Sequence, residues 1–225
     1  PVPMSAASAT GVPTASAAER QSPAEDLSER PRRLDVQVVN GDIRFVREPL
    51  LVGHYRDSLL SGTEDVVDRL CGGALRRSLA ARLYPEVVGA HQIFVNRTAP
   101  SDDPVGLPRP KAVIVAALGD EGQLKQESLS YAVRQAILGY AQREFEHEPR
   151  PGEAPPKEFR LSSVLLGSGG TGVHAAIAAQ MIVEGALEAN RMLEVAGWPR
   201  LAALTLIESY LDRAAEAWHA LRARQ

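Results

Sequence analysis

The chain has 225 residues, 44% of them apolar and 24% charged, with a formal net charge of −3 and one cysteine. That size and balance suit a single globular core with tails, and the slight acidity argues against general affinity for nucleic acid or anionic membrane. Cys71 stands alone, which excludes an intramolecular disulfide and a Cys-rich zinc site, and no run approaches the roughly 20 apolar residues of a membrane-spanning helix.

Residues 1–32 are mainly Ala, Ser, Pro and Thr with scattered charge. They offer too few large apolar side chains to offset the entropy of ordering, so they are expected to be a disordered linker or tail. A start at Pro1 and the lack of a signal-peptide pattern suggest a piece of a longer cytoplasmic polypeptide. Residues 33–225 are expected to form one domain, with exposed loops near 96–110 and 146–160 where Pro, Gly and charge cluster.

LDVQVV (34–39) alternates apolar and polar residues as a strand does. NGD follows as a turn, then IRFV and PLLVG (43–53) as short extended pieces. Residues 62–83 read as a helix in two parts, opened by Thr63 as N-cap and broken at Gly72-Gly73. VVGAHQIFV (87–95) and KAVIVAALG (111–119) are strands, and the second is apolar enough for burial on both faces. A helix over 127–145 places Leu129, Val133, Ala136, Ile137 and Tyr140 on one face. SSVLLG (162–167) is a strand, 173–197 a long helix stopped by glycine, LAALTLIES (201–209) a strand, and 210–224 a last amphipathic helix. That helix's stripe runs through Leu211, Ala214, Ala215, Trp218 and Leu221. The alternation predicts an α/β fold: a three-layer sandwich with a mixed, mainly parallel sheet flanked by helices.

LLGSGGTGVHAAI (165–177) carries four glycines between a strand and a helix. Glycine lets backbone N–H groups approach an anion, and the following helix adds its positive end. Gly167, Ser168, Gly169, Gly170, Thr171, Gly172, Val173 and His174 are therefore candidate ligand-binding residues. The loop lacks the lysine of a P-loop, and a G-x-G-x-x-G reading finds no acidic residue in the expected place at the end of the next strand. The alternative is a turn whose glycines permit close helix packing. The five histidines show no metal-ligand spacing. His54-Tyr55-Arg56-Asp57 reads as a polar cluster on an exposed loop, and Cys71 as a small buried side chain rather than a nucleophile. Trp198 and Trp218 suit packing at helix ends.

Three segments together resemble a macrodomain: VQVVNGDIRFVREPLLVGHYRDSLLSG (36–62), KAVIVAALG (111–119), and VLLGSGGTGVHAAIAAQMIVEGALEAN (164–190). The resemblance implies a macrodomain-like fold over about residues 34–224, with ADP-ribose or another nucleotide as ligand and no cofactor. It matches Asp42 and Ile43 to the turn that receives the adenine amino group, and Gly169 to Val173 to the diphosphate loop. PKAVIVAALGDEGQLKQESLSYAVRQAI (110–137) is also similar to the N-terminal domain of leucyl aminopeptidases. More loosely, the chain resembles modules beside CHAT-type, caspase-like peptidases in bacterial multidomain proteins.

Departures from the macrodomain pattern are specific. Gly53-His54-Tyr55-Arg56 stands where the family has Asn-Ala-Ala-Asn, and Ser61-Gly62-Thr63 replaces its glycine-rich first loop. Glu64 and Asp65 beside that loop are expected to repel a diphosphate. The sequence thus points to a non-enzymatic recognition or regulatory module that contacts other domains of a parent protein or a protein partner. The alternative is a nucleotide or phosphate sensor using the GSGGTG loop. Limited proteolysis should trim residues 1–32 rapidly and leave a core beginning near Arg33; resistance of the whole chain would contradict the expected tail.

Overall fold

The structure is a computed structural model that describes residues 33–57, 59–100, 105–147, 154, 156–169 and 172–223. The expected tail at 1–32 lies outside the described residues, as do the centres of both expected loops. Six strands form one sheet in the order β1-β6-β5-β2-β4-β3: β1 (Asp35–Asn40), β2 (Leu50–Tyr55), β3 (His91–Val95), β4 (Ala112–Gly119), β5 (Glu158–Val164) and β6 (Arg200–Glu208). Every neighbouring pair is parallel except β3 with β4, so the expected mixed, mainly parallel sheet is present. The helices are α1 (Thr63–Leu70), α2 (Ala74–Ala80), α3 (Gln126–Glu146), α4 (Ala175–Ala196) and α5 (Leu211–Arg222).

Period-two alternation divides the strands between two apolar layers. On β4, Ile114, Ala116 and Leu118 pack with α3 and α4, whereas Val113 and Val115 turn to the layer holding Val67 and Cys71 of the α1 region and Leu75 of α2. Both faces of β4 are covered, and all eight of its residues are buried. The predicted face of α3 is the one that is buried, and Asn190 of α4 pins the start of β6 by bonding both the N–H and the carbonyl of Leu201.

Several local expectations change. IRFV is not extended: Ile43–Phe45 form a 3-10 turn, because the Asp42 carboxylate accepts the Arg44 N–H and holds the chain in a helical bend. Gly62, not Thr63, occupies the N-cap of α1, at φ 52°, a conformation that suits glycine. The strand predicted over 162–167 begins earlier, at Glu158, and ends at Val164; Leu166 and Gly167 already turn. Helix α5 buries Ala214 and Ala217 with Leu221 packed beside them, while Leu211, Ala215 and Trp218 are exposed. Small residues fill that face where α5 packs on α4 and β1. His54 and Tyr55 belong to β2 rather than to a loop.

Helices α3 and α4 meet at Gly185, where an added Cβ would lie 2.4 Å from the Ser130 carbonyl oxygen and 3.0 Å from Val133 Cβ. Overpacking there costs roughly 1–3 kcal/mol, against about 1 kcal/mol regained in helix propensity. Gly185→Ala should therefore lower the urea midpoint, and an unchanged or higher midpoint would show that the helices have room to separate.

Candidate functional site

Parallel strands end together, and their loops gather on one side of the sheet. Above the carboxyl ends of β1, β6 and β5 lies a cleft of about 540 Å3. Its floor and one end come from Val164, Leu165, Ile207 and the Gly41–Asp42–Ile43 turn. Thr63, Val66 and Arg69 of α1 form a wall, and Ser168, Gly169, Tyr210 and Arg213 line it as well. Four predicted residues from segments over a hundred positions apart, Asp42, Ile43, Ser168 and Gly169, thus meet on one cavity. Ligands of open α/β sheets commonly sit in this position.

Asp42 is committed locally. Its Oδ1 accepts the Arg44 N–H at 2.9 Å, and its Oδ2 accepts Arg44 Nε at 2.8 Å and Nη2 at 2.5 Å. The Arg44 guanidinium and N–H hold the carboxyl below the ordinary aspartate range, so it is ionised at neutral pH.

The glycine loop closes on itself. The Val173 N–H donates to the Gly167 carbonyl at 2.8 Å, and the Gly172 N–H to the Gly169 carbonyl at 3.1 Å. A Cβ at position 172 would stand 1.9 Å from the Gly167 oxygen, so close approach of two backbones requires glycine there. Gly167 itself has φ 71°, and its carbonyl also receives the Tyr55 hydroxyl at 3.3 Å. Gly172 and Val173 therefore direct their donors into the loop rather than into the cleft. His174 is exposed as the N-cap of α4 and does not line the cleft, while Glu216 Oε1 faces the Ala176 N–H at 3.4 Å. Gly170 and Thr171 lie outside the described residues.

Glu64 and Asp65 do not act as expected. Glu64 is buried and turned inward, where its Oε1 accepts the Tyr84 hydroxyl at 2.8 Å and its Oε2 lies 3.1 Å from His54 Nδ1. His54 is 1% exposed, stacks edge-on against Tyr84, and leaves Nε2 without a partner among the described residues. Asp65 pairs with Arg69 and Arg76, and chiefly its hydrogen bond from Arg69 lowers its pKa. The repulsive carboxylates of the sequence are thus one structural anchor and one ion-paired surface group.

Arg213 was not singled out from the sequence. Its Nη2 donates to the Ser168 carbonyl at 2.8 Å and hydroxyl at 2.5 Å, and its Nε lies 3.1 Å from Glu208 Oε2. Tyr210, at the N-cap of α5, stands on the cleft with 65% of its surface exposed. The only signal for either was position, just after the carboxyl end of a parallel strand.

No protein-family model matches the chain, and no curated protein matches it. Solved structures do. The Oceanobacillus iheyensis macrodomain with ADP is 13% identical, with a TM-score of 0.60 over 84% of this chain and 90% of that one. The Trypanosoma brucei macrodomain is 12% identical, with a TM-score of 0.58 over 83% of this chain; the chain spans 66% of its length. The macrodomain of Mycobacterium tuberculosis DarG is 14% identical, with a TM-score of 0.51 over 77% and 98%. The fold is macrodomain-like.

Two outcomes follow from the buried groups. Glu64→Ala would strand the Tyr84 hydroxyl and the His54 ring in an apolar layer, costing about 3–5 kcal/mol, the scale for breaking a buried polar pair; denaturant unfolding measures it, and a loss below about 1 kcal/mol would show that water satisfies both groups. Burial pushes the Cys71 thiol up to about 11. The raised value stabilises the fold below the ordinary thiol range and is lost as pH climbs through about 11. Native protein at pH 8 should therefore resist thiol reagents that label it promptly in denaturant, and equal rates would contradict the burial.

Proposed function

We propose that the chain is a non-enzymatic recognition module that holds a nucleotide of the ADP-ribose class in the cleft above β1, β6 and β5. The observation that carries this reading is convergence: the Asp42–Ile43 turn and the Ser168–Gly169 loop line one cavity although no local pattern ties them together. An exposed aromatic ring at Tyr210 offers a stacking face for a base. Thr63, Ser168 and Ser209 line the same cavity, and Arg44, Arg69 and Arg213 supply positive charge around it. The likeness to a Trypanosoma brucei macrodomain solved in complex with ADP-ribose supports the ligand class.

Recognition without hydrolysis is supported by what the candidate chemical groups do. His54 is enclosed by Glu64 and Tyr84, Cys71 is buried with a raised pKa, and the carboxylates of Asp42 and Glu208 are each paired with an arginine. None is poised to activate a water at the cleft.

A second reading is favoured by the closed glycine loop. With the Gly172 and Val173 donors satisfied within the loop, the cleft could serve as a docking surface for a protein partner or another domain, including one beside a CHAT-type peptidase. Thermal unfolding with ADP-ribose separates the two readings. At about a hundred times the dissociation constant, a ligand stabilises by roughly 2.7 kcal/mol, or about 5–10 °C for a domain of this size. The expected result is such a rise, diminished in Tyr210→Ala, with no release of ADP-ribose from a modified protein. An absent shift would leave the docking reading, and release would overturn the non-enzymatic one.

A further inference from the structure

We propose that Arg213 takes the phosphate oxygens of the ligand, so that a held guanidinium on α5 supplies anion selection beside the glycine loop. The proposal rests on the nucleotide-binding reading of this cleft and names the contact that would discriminate charged from uncharged ligands.

A backbone cradle needs N–H groups aimed at the anion. Here the Val173 and Gly172 N–H groups bond to carbonyls of their own loop, and the Ala176 N–H in the first turn of α4 meets Glu216 Oε1 at 3.4 Å. The Gly172 and Val173 donors are thus spent on closing the loop.

Arg213 is arranged the opposite way. The Ser168 carbonyl and hydroxyl occupy Nη2, and Glu208 lies beside Nε as an ion-pair contact without hydrogen-bond geometry. Glu208 is itself held, since its Oε1 accepts the Tyr210 N–H at 3.0 Å and its side chain is only 10% exposed. The guanidinium is thereby fixed from two sides, and Nη1 has no hydrogen bond among the described residues. Arg213 lines the cleft and its side chain is 30% exposed, so the two Nη1 donors are those left to meet an oxyanion.

The other two arginines are less suited. Arg44 spends Nε and Nη2 on Asp42. Arg69 pairs with Asp65 and is 70% exposed, so ordering it on a ligand costs more rotamer entropy than using a fork that is already held. Arg213 also lies three residues after Tyr210, one helical turn along, so a single turn presents an aromatic face and a cation to adjoining parts of one ligand.

The test compares ADP-ribose with adenosine, which lacks phosphate, by calorimetric titration of the full chain and of Arg213→Gln and Arg213→Lys. Arg213→Gln should weaken ADP-ribose by roughly 10- to 100-fold, the scale of a charged hydrogen bond, and leave adenosine unchanged. Arg213→Lys, which keeps the charge but not the fork, should fall between. Raising salt should weaken ADP-ribose binding by the unaltered protein and spare adenosine, a readout independent of whether either variant folds. Equal losses for both ligands would make Arg213 a positioning residue for Ser168 and overturn the proposal. Unchanged ADP-ribose binding in a folded Arg213→Gln would overturn it while leaving the nucleotide-binding reading intact. Failure of the unaltered protein to bind ADP-ribose would overturn both.

Discussion

Parallel pairing is the constraint from which the rest of this structure follows. Every strand but β3 runs the same way, so each connection between parallel strands must cross over a face, and the crossing elements bury that face. Helices α3, α4 and α5 cover one side; α1 and α2, with the segment leading to β3, cover the other. Common direction also brings the ends of β1, β6 and β5 together. The cleft is the gap left where the loops from those ends diverge into α4, α5 and the turn after β1, with α1 as a wall.

Within that frame, polar groups are used where an apolar layer must be oriented rather than merely filled. His54, Glu64 and Tyr84 form the largest buried polar group in the thinner helical layer, and they tie α1 to β2. Hydrophobic contact alone would let a two-turn helix slide or rotate at little cost. Two directional contacts at Glu64 fix its rotation, and with it the positions of Thr63, Val66 and Arg69 on the cleft wall. The cluster therefore acts on the site through geometry while being sealed from it.

The glycine loop shows how one composition supports two chemistries. Small residues allow backbone donors to face an anion, and they equally allow two stretches of backbone to pack against each other. Here Gly172 lies against the Gly167 carbonyl, and the second use consumes the Gly172 and Val173 donors. Positive charge comes instead from arginines on α1, on α5 and on the turn after β1. Each is partnered by a carboxylate, which holds the cleft near neutrality and orients the guanidinium groups.

The sequence by itself determined the element order, the α/β class, the full burial of β4 and the apolar face of α3, because each rests on a local period of two or about 3.6 residues. It also marked Ser168 and Gly169, through the local signal of a glycine-rich turn after a strand, and Asp42 and Ile43, through the resemblance to a macrodomain. Tertiary structure alone decided which of these residues meet, because strand order is set by crossovers that no periodicity encodes. It also reversed the meaning of Glu64: an acidic residue in the first turn of a helix reads as a surface charge until a buried tyrosine and histidine are placed beside it. The same reason hid Arg213 and the α5 face. Whether an arginine is spare or held, and whether alanine or tryptophan turns inward, depends on neighbours far away in sequence and on how closely two helices pack.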